Sequence, residues 1–235
     1  GIIWAFSSYF FILIPAGHIW KFVTLAYIPP TIAGVVLAYR KKYLLGGVIT
    51  ALFIALQIQS NHIQMSYYFM FVILFFIIAY FVDAYEKKEL PHFFKASAIL
   101  ALAAVVGVCV NISNLYHTYE YSKETMRGKS ELKQEGPAAN QTSSGLDRDY
   151  ITNWSYGIGE TLTLLVPNVK GGGCSTTLSQ NETAMAKANP MYGNLYSQLT
   201  PYFGDQPWTA GPVYVGAFVV FLFILGCFIV KGPLK

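Results

Sequence analysis

The chain has 235 residues, of which 54% are hydrophobic and only 12% are charged. Soluble domains carry about 25% charged residues, so this composition excludes an ordinary soluble domain and indicates an integral membrane protein. The formal charge of +4 includes lysines and arginines that flank apolar segments, a distribution that sets membrane orientation and does not indicate nucleic-acid binding.

Six apolar segments approach the roughly 20 residues that a helix needs to cross the hydrocarbon core of a bilayer. They cover residues 2–16, 22–39, 43–58, 63–85, 92–110 and 213–230. Their apolar runs are continuous, whereas the strands of a membrane barrel alternate apolar and polar residues. The sequence therefore predicts an all-α integral membrane protein with about six transmembrane helices. Because residue 1 lies inside an apolar run without a preceding methionine, we interpret the chain as a fragment of a longer one.

The predicted domains follow from these segments. Residues 1–112 carry the first five transmembrane helices, residues 113–210 form a large extracytoplasmic loop domain, and residues 211–235 carry the last helix and a cytoplasmic end. Eight basic residues predict the orientation, in three clusters: Arg40, Lys41 and Lys42; Lys87, Lys88 and Lys95; Lys231 and Lys235. With alternating spans all three clusters lie on one side, which the positive-inside rule makes cytoplasmic.

The first outward turn covers residues 17–21 and contains His18, Trp20 and Lys21. Trp20 and Lys21 suit an interfacial anchor, in which the ring lies at the headgroups and the ammonium reaches water. The alternative is that His18 and Lys21 bind a polar ligand at the membrane edge.

The second outward turn, at residues 59–64, is unusually polar for a short hairpin and contains Asn61 and His62. Gln57 and Tyr67 lie deeper in the flanking apolar sequence, where unpaired polar groups are costly. They are expected to face the bundle interior or a hydrated cleft. Hydrogen bonds between helices and a hydrophilic outer pocket are the two interpretations.

Two segments are predicted to depart from a simple span. Pro29-Pro30 removes backbone donors inside the second span, so a broken or kinked helix is expected there. The fifth span keeps a helical pattern beyond Asn111, which predicts one long helix continuing to about Arg127.

The densest cluster of charged and aromatic side chains lies at residues 145–173. Its members are Asp147, Arg148, Asp149, Tyr150, Trp154, Tyr156 and Glu160. A cluster of this kind on the outer face is a candidate for chemistry, although alternating charges also form simple salt-bridge turns. The glycines at 171–173 lack the lysine and threonine pattern of a phosphate-binding loop.

Five motifs together resemble the YfhO-like family of bacterial polytopic membrane proteins, which are related to GT-C-type glycosyltransferases. They are GHIWK at 17–21, YIPP at 27–30, NHIQ at 61–64, GLDRDYITNWSYGIGETLTLLVPN at 145–168 and YFGDQPWTAGPVYVGA at 202–217. The resemblance implies a multi-pass enzyme of the bacterial inner (plasma) membrane with its large loop outside the cytoplasm. Such an enzyme would transfer a sugar from a polyprenyl-phosphate donor to a cell-envelope acceptor.

Glycosyl transfer to a hydroxyl needs a carboxylate base and cations that stabilise the departing phosphate. The catalytic candidates are Asp147, Asp149 and Glu160, and the substrate-binding candidates are His18, Lys21, Asn61, His62, Arg148, Trp154 and Tyr156. The resemblance also implies a catalytic carboxylate in a first external loop, which is expected outside this fragment.

The expected partners are a lipid-linked sugar donor, membrane lipids and an envelope polymer or glycolipid acceptor, with no nucleic acid. No cofactor or metal site is assigned, and a divalent cation at the Asp147–Asp149 turn stays open. Three other functions compete with the glycosyltransferase: a lipid or solute transporter, a non-catalytic scaffold in envelope assembly, and a lipid-linked polymerase or ligase.

Overall fold

The computed structural model describes residues 2–125 and 148–231. Within these ranges all regular structure is helical and no strand is present. The helices in chain order are α1 Ile2–Ala5, α2 Ser8–Leu13, α3 Ile19–Ala26, α4 Ile28–Tyr39, α5 Tyr43–Gln59, α6 Ile63–Glu86, α7 Leu90–Cys109, α8 Ile112–Lys123, α9 Arg148–Thr152, α10 Glu182–Met185, α11 Gly193–Tyr196 and α12 Ala217–Ile229. Short 3₁₀ helices cover Ile158–Leu164, Leu178–Gln180 and Pro190–Tyr192.

Three helical segments in the described part of the chain are long and apolar enough to cross a membrane. They are Ile19–Tyr39, Ile63–Glu86 and Leu90–Cys109. Three further apolar segments are helical but shorter: Ile2–Leu13, Tyr43–Gln59 and Ala217–Ile229. The prediction of all-helical structure is therefore confirmed for the described residues, and three of the helical segments have the length and apolar composition that membrane crossing requires.

The chain divides into two compact units. The helical unit comprises Gly1–Ala5, Gly17–Tyr119 and Phe221–Lys235, and the loop unit comprises Phe6–Ala16 and Glu120–Val220. Residues 6–16, which the sequence placed with the membrane helices, belong to the loop unit. Ser8 shows one reason: its Oγ donates to the carbonyl of Tyr214 at 2.7 Å and accepts from the Tyr214 N–H at 2.9 Å.

Close backbone packing holds the helical unit together. A Cβ on Gly46 would lie 2.5 Å from the backbone nitrogen of Ala38 and 2.7 Å from the carbonyl oxygen of Gly34. On the other side of α5, a Cβ on Gly107 would lie 2.9 Å from the carbonyl oxygen of Ala51. Small residues at these crossings let α4 and α7 approach α5 closely, which is how membrane helices gain dispersion contacts without a hydrophobic driving force.

The predicted interruption at Pro29-Pro30 is confirmed. The chain leaves helical hydrogen bonding at Tyr27, and the two prolines fall in the first turn of α4, where their missing N–H groups have no intrahelical partner to lose. The carbonyl of Tyr27 accepts from the Thr31 N–H at 3.2 Å and from the Thr31 hydroxyl at 2.8 Å. The carbonyl that Pro29 leaves without its helical donor, that of Leu25, accepts from the Trp4 indole N–H at 3.3 Å.

Of the two deep polar residues in the outer hairpin, only Gln57 is buried. It is 3% exposed, and its side-chain amide donates to the Thr31 hydroxyl at 3.2 Å, which is a hydrogen bond between α5 and α4. Tyr67 is 54% exposed and packs edge-on against Phe71, so of the two expected environments it does not have the buried one.

The single long helix predicted from residue 92 to about residue 127 is also wrong. α7 ends at Cys109, and a separate α8 begins at Ile112. The Asn111 amide donates to the carbonyl of Ala55 at 2.9 Å and to that of Gly107 at 3.3 Å. Asparagine competes for backbone carbonyls in this way, and such contacts accompany helix ends.

Candidate functional site

A polar groove of about 460 Å³ opens at one end of the helical unit. Its walls include His18, Trp20, Lys21, Ser60, Asn61 and His62. The structure thus brings together four of the predicted substrate-binding residues, although the two turns that carry them lie about forty positions apart in sequence. We call this cavity the outer groove.

Local backbone chemistry shapes one wall of the outer groove. α5 ends at Ser60, whose hydroxyl donates back to the carbonyl of Leu56 at 2.9 Å. Asn61 then takes a left-handed conformation with φ of 55°, which asparagine tolerates better than most residues. This reversal places His62 directly before the first residue of α6.

The facing wall is the turn before α3. Gly17 has φ of 75°, a region open to glycine because it lacks a Cβ. His18 follows and precedes the first residue of α3, and its side chain makes no capping hydrogen bond. Trp20 is 67% exposed beside it.

His62 has an unusual environment. Its Nδ1 is buried and has no hydrogen-bond partner among the described residues. Burial lowers the pKa of His62, and the nearby charges of Lys21 and His18 also lower it, whereas the residue's own backbone acts in the opposite direction. The imidazole is therefore neutral at pH 7. Buried polar atoms of Thr50 and Ser66 also have no partner among the described residues, but only that of His62 belongs to a residue lining the outer groove, where a ligand or water can reach it.

The outer groove suits an anionic ligand. Lys21 provides a compact positive charge, and lysine binds phosphate groups as a point charge. Asn61 and the His62 imidazole add neutral hydrogen-bonding groups at the same rim.

A second cluster lies within the loop unit, around Glu160. This side chain is 3% exposed and belongs to the 3₁₀ helix Ile158–Leu164. One carboxylate oxygen accepts from the Tyr202 hydroxyl at 2.6 Å, and the other accepts from the Gly157 N–H at 3.2 Å. Both oxygens are thus engaged by the protein itself.

The network continues beyond Tyr202. The Tyr202 oxygen accepts from the Gln206 N–H at 2.9 Å, and the Gln206 side-chain amide donates to the carbonyl of Trp154 at 2.6 Å. Burial raises the pKa of Tyr202 to about 12, with the hydrogen bond to Glu160 adding to the effect. Tyr202 therefore stays protonated at neutral pH and donates to the carboxylate. We call Glu160, Tyr202, Gln206, Trp154 and Gly157 together the Glu160 network.

Of the two aromatic substrate-binding candidates, Trp154 belongs to this network through its carbonyl, and Tyr156 directly precedes Gly157 in the sequence. Trp154 is 50% exposed and Tyr156 is 36% exposed. Burial raises the pKa of Tyr156, and the charge of Glu160 raises it further. Both rings present surface to solvent, as stacking on a sugar requires.

The remaining candidates are Asp147, Arg148 and Asp149. Arg148 begins α9, and Asp149 is exposed in its first turn. Asp147 lies outside the described residues. Within the described ranges, no group of three or more His, Cys, Asp or Glu side chains is placed to hold a metal ion.

Sequence reasoning missed Tyr202, Asp205 and Gln206 as partners of the 154–160 segment. A Cβ on Gly157 would overlap the Asp205 carboxylate, so any other residue there requires the Asp205 side chain to move. The signal was present in the motif YFGDQPW, where aromatic, acidic and amide side chains follow one another closely. Glu160 lies 42 positions before Tyr202, so a local sequence pattern cannot show that the two side chains are in contact.

Comparison with known proteins adds no relative: no family model, no curated protein and no solved structure matches the chain. The class that the fold defines is an all-helical protein with helices suited to membrane crossing.

Proposed function

We propose that this chain is part of a membrane glycosyltransferase that transfers a sugar from a polyprenyl-phosphate donor to a cell-envelope acceptor. The observation that carries the proposal is the outer groove, where Lys21 lies near a buried His62 nitrogen that has no hydrogen-bond partner among the described residues. A lipid phosphate at the membrane edge offers anionic oxygens to both side chains. The motif resemblance to YfhO-like proteins points to the same donor class.

The proposal includes a topology. The five apolar segments from 22–39 to 213–230 cross the membrane, the basic clusters face the cytoplasm of a bacterium, and residues 113–210 lie outside. The shorter apolar helices among them cross where the bilayer thins or where neighbouring helices surround them.

The proposed chemistry assigns different tasks to the groove and to the carboxylates. The acceptor hydroxyl attacks the anomeric carbon, the bond from that carbon to the phosphate oxygen breaks, and the phosphate leaves with the electron pair. Lys21 and His18 stabilise the charge that develops on the departing phosphate. The acceptor proton goes to a carboxylate base, which the motif resemblance implies in an external loop.

The test uses the full-length protein in proteoliposomes, with polyprenyl phosphate carrying a radiolabelled hexose and an envelope fraction as acceptor. Lys21→Gln and His62→Asn are expected to lower sugar transfer by tenfold or more, since charge-assisted contacts to a transition state contribute about 1.5–3 kcal/mol. Lys42→Gln, a charge change at the opposite end of α5, is the matched control and is expected to leave transfer unchanged.

Three outcomes would contradict the proposal. If no donor in a panel of hexose donors supports transfer, the protein is not this enzyme. If transfer is unchanged in both groove variants, the outer groove does not take part in the reaction. Movement of intact donor across sealed vesicles without chemical change identifies a carrier instead.

A further inference from the structure

A second pocket of the helical unit lies at the other end of α5 and has no part in the proposed function. Its volume is about 420 Å³, and its walls include Tyr39, Arg40, Lys41, Tyr80, Asp83 and Glu89. α5 has 17 residues, so the two pockets are separated by about 25 Å of helix. The basic clusters predict that this second pocket, here called the Arg40 pocket, faces the cytoplasm.

Charge pairing leaves one cation available in the Arg40 pocket. Lys41 pairs with Glu89 at 3.2 Å, and Lys87, which also lines the pocket, pairs with Asp83 at 2.8 Å. No ion pair joins Arg40 to any of the described residues, and its side chain is exposed. The pocket therefore combines one uncompensated guanidinium with two carboxylates that retain acceptor capacity.

The floor of the Arg40 pocket is fixed by aromatic and imidazole contacts. The Tyr39 ring stacks on Tyr80 with ring centroids 4.3 Å apart. His92 Nε2 donates to the carbonyl of Tyr39 at 2.8 Å, since a carbonyl can only accept, and the Tyr43 hydroxyl donates to His92 Nδ1 at 2.7 Å. Because both ring nitrogens of His92 are engaged, the floor keeps its shape without a ligand.

The corner that presents Arg40 is equally well defined. Lys41 takes a left-handed φ of 67°, and the Lys42 N–H donates to the carbonyl of Leu37 at 3.0 Å, which closes the end of α4. Glycine is the usual residue at such a position, so lysine there is unfavourable for the backbone alone. Its side chain gains the ion pair to Glu89.

We propose that the Arg40 pocket binds the phosphodiester headgroup of an anionic membrane phospholipid. The guanidinium fork donates to two phosphate oxygens, and Asp83 and Glu89 accept from headgroup hydroxyls. Basic pockets between transmembrane helices on the cytoplasmic side are a recurring form of lipid-headgroup site.

The apolar surface beside the pocket favours a lipid over a soluble phosphate. Only 6% of the most apolar window of α6 is buried within the protein. Near the pocket, Phe81, Tyr85 and Phe94 are 41%, 66% and 59% exposed. Acyl chains attached to a bound headgroup would cover this surface, which a free phosphate cannot do.

The test measures binding of dioleoylphosphatidylglycerol to the delipidated full chain by native mass spectrometry, with dioleoylphosphatidylcholine and inorganic phosphate as parallel probes. Arg40→Gln is expected to weaken phosphatidylglycerol binding about tenfold, the loss of one charge-assisted contact. Arg40→Lys, which keeps the charge without the fork, is expected to lie between Arg40→Gln and the wild type. Lys42→Gln is the control, since this exposed lysine lies in the same corner and does not line the pocket.

Each outcome decides the proposal. The proposal is overturned if Arg40→Gln and Lys42→Gln bind phosphatidylglycerol equally well. It is also overturned if the wild type binds phosphatidylglycerol and phosphatidylcholine equally well. Binding of inorganic phosphate as tight as that of the lipid, and equally dependent on Arg40, keeps the phosphate site and overturns its assignment to lipid. Circular dichroism of each variant separates a lost site from a lost fold.

Discussion

Two buried polar groups, one in each unit, differ in a way that separates support from binding. Glu160 in the loop unit is 3% exposed, and both of its carboxylate oxygens accept hydrogen bonds from the protein. His62 in the helical unit also has a buried polar atom, but its Nδ1 has no partner among the described residues. A satisfied buried group stabilises the fold, whereas an unsatisfied one costs free energy unless a ligand completes it.

The acidic and aromatic cluster at residues 145–173 contains the satisfied member of this pair, Glu160. Density of charged residues marked that segment in the sequence, yet its buried carboxylate has the contacts of a structural residue. The outer groove has a lower density of charge, but the buried Nδ1 of its His62 has no partner among the described residues. Removing single groups from each region tests the distinction directly.

The largest effect is expected for Glu160→Ala. It leaves the Tyr202 hydroxyl and the Gly157 N–H without their acceptor and opens a cavity, so the free energy of unfolding should fall by about 2–4 kcal/mol. Denaturant titration in detergent micelles measures the change. The control is Asp149→Ala at an exposed helix-end position, with an expected loss of about 0.5 kcal/mol. Full stability with loss of sugar transfer would instead assign Glu160 to catalysis.

The next effect concerns the close packing of α4 against α5. Gly46→Ala adds a Cβ 2.5 Å from the backbone of Ala38, so α4 and α5 must separate, and we expect a loss of about 1–3 kcal/mol. Gly226→Ala is the matched control, because no atom lies within 4 Å of the added Cβ. Thermal unfolding of both variants in the same detergent gives the difference. Equal melting temperatures would show that close backbone approach does not stabilise the helical unit.

A smaller loss is expected for Tyr202→Phe. It removes the donor to Glu160 and the acceptor for the Gln206 N–H, at a cost of about 1–2 kcal/mol near neutral pH. An unfolded tyrosine titrates near pH 10, whereas the pKa of Tyr202 in the fold is about 12. Between these values the folded protein keeps a proton that the unfolded chain has lost.

The sign of the pH dependence follows from that proton. The stability that Tyr202 contributes is complete below pH 10 and declines as the pH rises towards 12. The difference in unfolding free energy between wild type and Tyr202→Phe should therefore shrink between pH 9 and pH 12. A difference that stays constant over this range would mean that the Tyr202 hydroxyl does not titrate with folding.

Much of the helical unit was predictable because its signals are local. Apolar runs long enough to span a bilayer gave its principal helices, and Pro29-Pro30 gave the break before α4. The break between α7 and α8 was not predictable, since it accompanies a hydrogen bond from Asn111 to Ala55, 56 positions earlier. Helix periodicity continues through residue 111 and contains no information about that partner.

The candidate site divides in the same way. Two polar turns predicted to face outward do form one groove, because each lies directly before a helix of the same unit, α3 or α6. The role of Glu160 was not predictable, because whether a carboxylate is buried depends on Tyr202, which lies 42 positions later. Sequence shows which groups are present, and the tertiary fold decides which of them already have partners.

His62→Asn is expected to have the smallest effect on stability and a clear effect on binding. Because Nδ1 has no protein partner, the free energy of unfolding should change by about 0.5 kcal/mol or less, the usual range for changes that break no buried contact. Affinity for polyprenyl phosphate should still fall, and the fluorescence of Trp20 in the same groove offers a readout. His117→Asn, at an exposed histidine of α8, is the matched control and should alter neither quantity. A loss of stability as large as that of Glu160→Ala would show that His62 is held by the protein, and the two buried groups would then serve the same purpose.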